Sequence, residues 1–217
     1  MVLKLYASNL SPPSRYVGVI LHEKKVPFEL VHIEFSKNEQ KTPANLANQP
    51  FGQVPYIVEE DGFVLYESRA IARYIATKYA NQGTKLIPTE DMKQRALFDQ
   101  ATFSESANFN DYAFQLYAEV FIKKAYGQIP DQAKVDELKA TLGSKMDVHE
   151  QILTMQKYIA GNELTLVDLA YVPLATALSD LGVDVREGRP YVTKWLNELI
   201  NRESWQAIKS QGLVSTA

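Results

Sequence analysis

Between Gln49 and Tyr79 the chain reads Q-P-F-G-Q-V-P-Y-I-V-E-E-D-G-F-V-L-Y-E-S-R-A-I-A-R-Y-I-A-T-K-Y, and few folds accept that order. Val54 to Val58 is a short apolar run with β-branched residues and a tyrosine. Glu60-Asp61-Gly62 is a turn cluster and Phe63 to Tyr66 a second apolar run, so the two runs predict a β-hairpin. Glu67 and Ser68 then open a helix whose apolar positions, Ala70, Ile71, Tyr74, Ile75 and Tyr79, recur three and four apart. Ser68 is the expected cap of its first free N–H groups. Pro55 has no N–H to give a ladder, so the strand must start or bend there. A helix N-terminus attracts carboxylates and phosphates through its free N–H groups. A proline at a strand entrance with such an end close by suits a small peptide-like ligand.

The remaining residues extend the pattern on both sides. Val2 to Tyr6 alternates as a strand, Ala7 to Ser11 is a loop, and Pro12-Pro13 leads into a helix bearing Val17, Ile20 and Leu21 and ending near Lys24. Proline fits a first helical turn because its missing N–H would be unpaired there anyway. Phe28 to Ile33 is a second strand and completes a βαβ unit. Ser36 to Gln49 is polar, interrupted by Pro43, and is expected to be loop with a short irregular helix. The order β-α-β-α-β-β-α results.

Asn81 to Asp91 carries Gly, Pro and polar residues and is expected to be a linker, dividing an α/β domain at 1–80 from an all-helical bundle at 92–217. Met92 to Tyr126 is helical and aromatic-rich, with a bend expected near Asn108 to Asp111. Asp131 to Ile159 predicts a long amphipathic helix with His149 on its core face. Thr165 and Asp168 have capping-box spacing at the start of a nearly all-apolar helix running to Leu178, which assigns Asp168 a structural rather than a catalytic role. Arg189-Pro190 opens a further helix with Val192, Trp195, Leu196, Leu199 and Ile200. The segment from Ser210 to Ala217 is expected to fray or to lie over the surface.

Composition closes off several kinds of chemistry. The 217 residues carry a net charge of −3, which argues against a nucleic-acid partner. No apolar run approaches the roughly 18 residues of a membrane span, and the N-terminus lacks a signal-peptide core, so a cytoplasmic protein is expected. There is no cysteine, so disulfides, thiolate zinc sites and any mechanism using the protein's own thiol are excluded. No phosphate-cradling glycine loop or histidine cluster calls for a nucleotide, metal or other cofactor. Thiol chemistry, if present, must come with the ligand.

The stretch F-G-Q-V-P…L-Y-E-S-R-A-I-x-x-Y-I-A resembles the glutathione-binding part of the thioredoxin-like domain of glutathione transferases. L-T-x-x-D-L resembles the structural capping motif of their helical domain, so the likeness spans almost the whole chain. S-R-Y-V-G-V-I-L-H-E-K and P-F-E-L-V-H-I-E resemble the phi class in particular. The resemblance implies glutathione as co-substrate and an N-terminal thioredoxin-like domain followed by an all-α domain. It gives Pro55 a cis bond, Val54 the backbone pairing to the cysteinyl part, and Glu67 and Ser68 the γ-glutamyl end. Gln40 and Lys41 take the glycyl carboxylate, Gln40 standing where the class often has histidine, and Gln53 bonds the peptide portion. Pro12, Phe35, Tyr112, Phe114, Tyr117 and Phe121, with Asn9 and Leu10, are candidates for an apolar wall around an electrophile.

Such chemistry needs a thiolate. A thiol of pKa about 8.5 is only a few per cent ionised at neutral pH, and lowering it by about two units takes roughly 2.7 kcal/mol of differential stabilisation. One hydrogen bond to a charged acceptor contributes about 1.5–3 kcal/mol, so a single hydroxyl aimed at the sulfur is enough. Three hydroxyls compete. Ser11 sits before Pro12-Pro13, where capping the helix and donating to sulfur are compatible, and Y-x-x-x-x-S-x-P-x-R is similar to the serine-type transferases. Tyr6, at the end of the first strand, is the rival that tyrosine-type classes would use, and Ser14 is the third. Arg15 is expected to pair with carboxylates and orient the segment, a structural role.

The leading expectation is therefore an enzyme that conjugates glutathione to hydrophobic electrophiles, with glutathione-dependent peroxide reduction beside it. The alternative is a non-catalytic carrier or interaction module, which has no need of Ser11, Lys41, Gln53, Glu67 and Ser68 together. A homodimer is also expected, with Arg69, Arg73, Phe98 and Phe103 on helix faces the internal core need not use.

Overall fold

The computed structural model describes residues 2–88 and 91–217. The chain packs as two units, Met1–Ile87 with Arg202–Ala217, and Pro88–Asn201. Of the expected linker, Thr89 and Glu90 lie outside the described residues.

The first unit is a thioredoxin-like α/β layer. Its elements run β1 (Leu3–Ala7), α1 (Pro12–Glu23), β2 (Phe28–His32), two 3₁₀ turns (Phe35–Lys37 and Glu39–Lys41), α2 (Pro43–Asn48), β3 (Tyr56–Val58), β4 (Val64–Tyr66) and α3 (Ser68–Lys78). The sheet order is β2-β1-β3-β4, with β1 and β2 parallel and the other two pairs antiparallel. Leu3, Leu5 and Ala7 are buried while Lys4 and Tyr6 are partly exposed, the period-two alternation of a strand. Val17, Ile20 and Leu21 of α1 and Ile71 and Ile75 of α3 are fully buried where these two helices pack together. Burying each such side chain contributes about 1.5–3 kcal/mol.

Three local expectations are corrected here. Pro43 does not interrupt a helix but starts one, with Thr42 capping α2 through its side chain. The third strand begins at Tyr56, so Val54 and Pro55 precede the ladder. Ser68 is the first residue of α3 rather than its cap; Glu67 occupies the cap position without a side-chain cap bond.

The C-terminal segment differs most from its sequence reading. Helix α10 (Glu203–Gln211) packs on α1. Arg202 donates to the buried Glu23 carboxylate from Nε at 2.6 Å and from its terminal nitrogen at 2.8 Å, and Ser204 Oγ donates at 2.6 Å. Thr84 Oγ1 donates to the same carboxylate at 2.5 Å, so the first half of the expected linker is fastened to this unit. Burial pushes the Glu23 carboxyl up, but these bonds outweigh it and hold its pKa below the ordinary value. The tail is not frayed: Leu213 is 2% exposed, and Thr216 N–H donates to the Phe28 carbonyl at 2.9 Å. Phe28 lies on the edge strand β2, whose outward N–H and C=O groups would otherwise face solvent.

The second unit is all-helical. Helices α4 (Met92–Glu105), α5 (Asp111–Tyr117) and α6 (Lys123–Ala125) follow one another through two π-helical turns, Ser106–Asn110 and Ala118–Ile122. The first π turn stands where a bend was expected: the Asn/Asp cluster widens the helix instead of ending it. Phe98 of α4 is 3% exposed and belongs to the core, correcting its assignment to a spare face, whereas Phe103 is 73% exposed.

Helices α7 (Gln132–Met155), α8 (Leu166–Asp180) and α9 (Pro190–Ile200) complete the unit. Helix α7 stops at Met155 rather than Ile159 because the Ile159 N–H is taken by Asp168, at 2.9 Å, instead of by a helical carbonyl. His149 is buried as expected, with Nδ1 2.7 Å from the Lys145 carbonyl and Nε2 2.7 Å from the Tyr171 hydroxyl. A backbone carbonyl can only accept, so Nδ1 carries the proton and Nε2 accepts from Tyr171. The Glu150 carboxylate accepts from the N–H groups of Tyr191 and Val192, closing the N-terminus of α9 from the side of α7.

Candidate active site

The strand registers bring the first unit's candidates to one end of the sheet. Ala7 pairs with His32, Tyr6 with Tyr56, and Tyr56 with Tyr66. Running off that common end are the loop Ser8 to Ser11, the segment from Ile33 to Thr42, the strand entrance at Gln53 to Pro55, and Glu67-Ser68. Segments some 60 residues apart in sequence thus become neighbours through backbone pairing alone.

Ser11 is the N-cap of α1, in extended conformation, and its Oγ accepts from the Ser14 N–H at 3.3 Å. The cap uses a lone pair and leaves the O–H free to donate. The residue is 7% exposed. Ser14 is sealed off: it is fully buried and its Oγ accepts from the Ser8 N–H at 3.4 Å. The Tyr6 ring stacks on Tyr56, with centroids 4.4 Å apart and planes 12° apart. That face of the sheet carries α2, since Tyr56 donates to Asn45 Oδ1 at 2.5 Å. Burial, with Tyr6 alongside, pushes the Tyr56 hydroxyl up to about 12, so it stays a neutral donor. Arg15 Nε donates to the Asn9 carbonyl at 2.7 Å, so it holds the segment through a backbone oxygen, where a carboxylate partner was expected.

At the strand entrance the Val54–Pro55 bond is cis. The antiparallel ladder of β1 and β3 starts at Tyr56, so the Val54 backbone precedes it. Glu67 has φ 71° and ψ 110°. A non-glycine residue held there costs about 1–3 kcal/mol, strain that collects at ligand-binding positions. Its side chain is exposed, directly before the buried Ser68 and the first turn of α3.

Lys41 Nζ donates to the Phe51 carbonyl at 2.8 Å and so lies across the turn before the cis proline. Gly52 permits this: at φ 61°, a Cβ there would stand 2.5 Å from Lys41 Cδ. Gln40 is half-buried beside it, and its Oε1 is buried with no hydrogen-bond partner. Gln53 is exposed; its N–H donates to the buried Gln49 Oε1 at 3.1 Å. Gln49, Asn45 and Gly52 shape this rim and were missed in the sequence. The signal was there for Gly52, in F-G-Q-V-P, but glutamine and asparagine in a polar loop give none.

The aromatic candidates divide. In the first unit Pro12 is buried and Phe35 half-buried. In the second, Phe114, Tyr117 and Phe121 form one cluster, with Tyr117 stacked on Phe121 at 5.0 Å and 6.4 Å from Phe114. Tyr112 is not part of it and turns to Lys145, whose ammonium lies 5.8 Å from its ring centre. Among the described residues no group of three or more His, Cys, Asp or Glu side chains could hold a metal ion.

A sheet of this order, a cis proline before its third strand, a capping serine at the first helix and a helical second unit together describe a thioredoxin-like domain followed by an all-helical one. Comparison with known proteins identifies it further. Residues 5–83 match the model of the glutathione S-transferase N-terminal domain and residues 109–203 that of the C-terminal domain. The chain is 40% identical over 215 residues to glutathione S-transferase F11 of Arabidopsis thaliana, covering 96% of this chain and 97% of that one. It is 40% identical over 208 residues to glutathione S-transferase hmp2 of Hypomyces subiculosus, covering 94% and 96%. The crystal structure of glutathione transferase F7 from Populus trichocarpa superposes with a TM-score of 0.92 at 34% identity, covering 98% of this chain and all of that one. The chain belongs to the glutathione S-transferase family, an enzyme family, and within it to the phi class.

Proposed function

We propose that this protein conjugates glutathione to apolar electrophiles, with Ser11 as the residue that stabilises the thiolate. The observation that carries this reading is the convergence, at one end of the sheet, of a capping hydroxyl with a spare O–H, an unpaired strand entrance at Val54-Pro55, and a strained Glu67 at a helix N-terminus. Glutathione lies along that end. Its cysteinyl backbone pairs with Val54, its γ-glutamyl group meets Glu67 and Ser68, and its glycyl carboxylate meets Gln40 and Lys41, with Gln53 on the peptide. A donor on the ligand would also satisfy the unpartnered Gln40 Oε1. The thiol proton leaves to solvent and the sulfur attacks the electrophile. With an aryl halide, the S–C bond forms and halide departs with the pair of the broken C–halogen bond. In the first unit Phe35, with Pro12, suits an apolar acceptor. A maize relative has been crystallised with an atrazine glutathione conjugate, a ligand of that kind. No metal or further cofactor has a role. The test is an assay of glutathione consumption with aryl halides, isothiocyanates and hydroperoxides; no turnover on any of them would favour a carrier instead.

Glu67→Ala and Ser68→Ala are expected to raise the KM for glutathione by about tenfold and to leave kcat within a few-fold. Groups that hold the γ-glutamyl end equally in ground and transition states lose uniform binding. Steady-state kinetics at saturating electrophile checks this; an unchanged KM in both variants would take the pair out of the site.

We further propose a cytoplasmic homodimer. Among the described residues no helix is long and apolar enough to cross a membrane. Met92 and Phe103 of α4 are 84% and 73% exposed, apolar area that a second copy would cover. Sedimentation at micromolar concentration is expected to give twice the 24.5 kDa chain mass; a mass that stays at one chain on concentrating would overturn the dimer.

A further inference from the structure

We propose that the C-terminal segment Gly212-Leu213 is a positioning device for Ser11, acting through the side chain of Asn9. The inference rests on the reading of Ser11 as thiolate stabiliser and deepens it. Asn9, placed among pocket-wall candidates by its sequence position, has its amide engaged elsewhere: Oδ1 accepts from the Leu213 N–H at 2.5 Å, across 204 residues of sequence.

Several bonds on the Ser8 to Ser11 loop come from α1 or from the loop itself. Ser11 N–H donates to the Ser8 carbonyl, Ser14 Oγ receives the Ser8 N–H, Ser14 N–H reaches Ser11 Oγ, and Arg15 holds the Asn9 carbonyl. These bonds fix the loop to its own helix but leave it able to move with the helix end. The bond from Leu213 ties it to a different element.

That element is itself well anchored. Leu213 is buried and seated over Gly18 of α1, where an added Cβ would stand 2.3 Å from Leu213 Cδ2. Gly212 turns the chain at φ 74°, and a Cβ there would meet the Asn9 amide at 2.9 Å. Beyond it, Ser215 Oγ accepts from the Leu30 N–H at 2.9 Å and Thr216 Oγ1 from the Phe28 N–H at 3.2 Å, fastening the tail to edge strand β2. On the other side, α10 is clamped to Glu23 at the far end of α1. The tail therefore spans both ends of α1 and holds the loop against the sheet. Asn9 sits two residues from Ser11, so its displacement turns the Ser11 O–H away from the sulfur. A misplacement of about 1 Å can cost about a hundredfold in rate.

The test uses the full-length enzyme, glutathione and an aryl halide, reading the pH profile of kcat/KM, the KM for glutathione and the melting temperature. Asn9→Ala is expected to raise the apparent pKa of bound glutathione by about one unit and to lower kcat/KM at pH about 6.5 by about fivefold. At alkaline pH the loss should shrink to within about twofold, with KM for glutathione unchanged. Gly212→Ala, which disturbs the tether from the tail side and leaves the loop sequence intact, is expected to do the same and serves if Asn9→Ala does not fold. Asn9→Ala in a Ser11→Ala background should add nothing, because a residue acting through Ser11 has no route without it. A lowered melting temperature with an unmoved pH profile in both variants would overturn the tether, as would a full Asn9 effect in the absence of Ser11. If Ser11→Ala alone leaves the profile unmoved, the thiolate reading fails instead, and the two failures are told apart.

Discussion

Replacing Ser11 by alanine is expected to lower turnover at pH about 6.5 by roughly a hundredfold while glutathione affinity stays within a few-fold. The magnitude follows from the chemistry. Taking a thiol from pKa about 8.5 to about 6.5 needs roughly 2.7 kcal/mol, which is a factor of about 10² in rate. One O–H donated to a sulfur anion is sufficient for most of that, and the N-terminus of α1 adds a smaller favourable field. The bound thiol should titrate higher in the variant, so the deficit is largest below the pKa of the parent complex and shrinks as pH rises past that of the variant. Thiolate absorbance of the binary complex measures the pKa directly. Glutathione should still bind, because the proposed contacts to it at Val54, Glu67, Ser68 and Lys41 are untouched. Fold should survive as well: the cap bond from Ser11 Oγ to Ser14 N–H is long, at 3.3 Å, and losing such a cap costs about 1 kcal/mol. A fully active Ser11→Ala with an inactive Tyr6→Phe would transfer the role to Tyr6. The stacking of Tyr6 on Tyr56 argues against that outcome.

The hairpin, the crossover unit and the helical second half were legible because each is written locally. Alternation marks β1, the turn Glu60-Asp61-Gly62 marks the hairpin, and Thr165 with Asp168 marks the start of α8. The capping box and the buried His149 appear as read. Errors fell where a distant partner overrides local preference. Small polar residues from Ser210 onward leave fraying and lying over the surface both open; the segment takes the second course, bonded to β2 and to the loop before α1, and nothing in either stretch announces the other. Met155 to Ile159 keeps helical composition, but the Asp168 carboxylate takes the N–H the helix would need. Glu67, not Ser68, holds the cap position of α3, because the chain turns through a positive φ there. The candidate site was legible as residue types at known separations. Its assembly depends on the register of three strand pairs, which no local pattern specifies.

The largest stability effect is expected at Asp168. Its carboxylate is fully buried and accepts four hydrogen bonds: from the N–H groups of Ile159 and Thr165 at 2.9 Å each, from Thr165 Oγ1 at 3.0 Å and from Trp195 Nε1 at 3.0 Å. It therefore closes the start of α8, ends α7's connection at Ile159 and fixes α9 through Trp195. Alanine would strand those donors away from water, each costing about 1–3 kcal/mol. The sum is not the answer, because burying the carboxylate is itself costly. Burial pushes its pKa up even against those four donors, so removing the charge returns part of the loss. Asp168→Ala should therefore lose about 3–5 kcal/mol, a large fraction of the roughly 5–15 kcal/mol that holds a domain together. Asparagine separates the contributions. It keeps one acceptor oxygen, enough for Ile159 and Trp195, but turns an NH₂ toward the two donors of Thr165, so its loss should fall between alanine's and zero. Urea unfolding followed by Trp fluorescence gives the order wild type, Asn, Ala in midpoint, with the slope unchanged. A midpoint for Asp168→Ala indistinguishable from the parent's would mean that water, rather than this carboxylate, satisfies the junction of α7, α8 and α9. An asparagine variant less stable than alanine would mean that the NH₂ facing Thr165 costs more than the retained acceptor contributes.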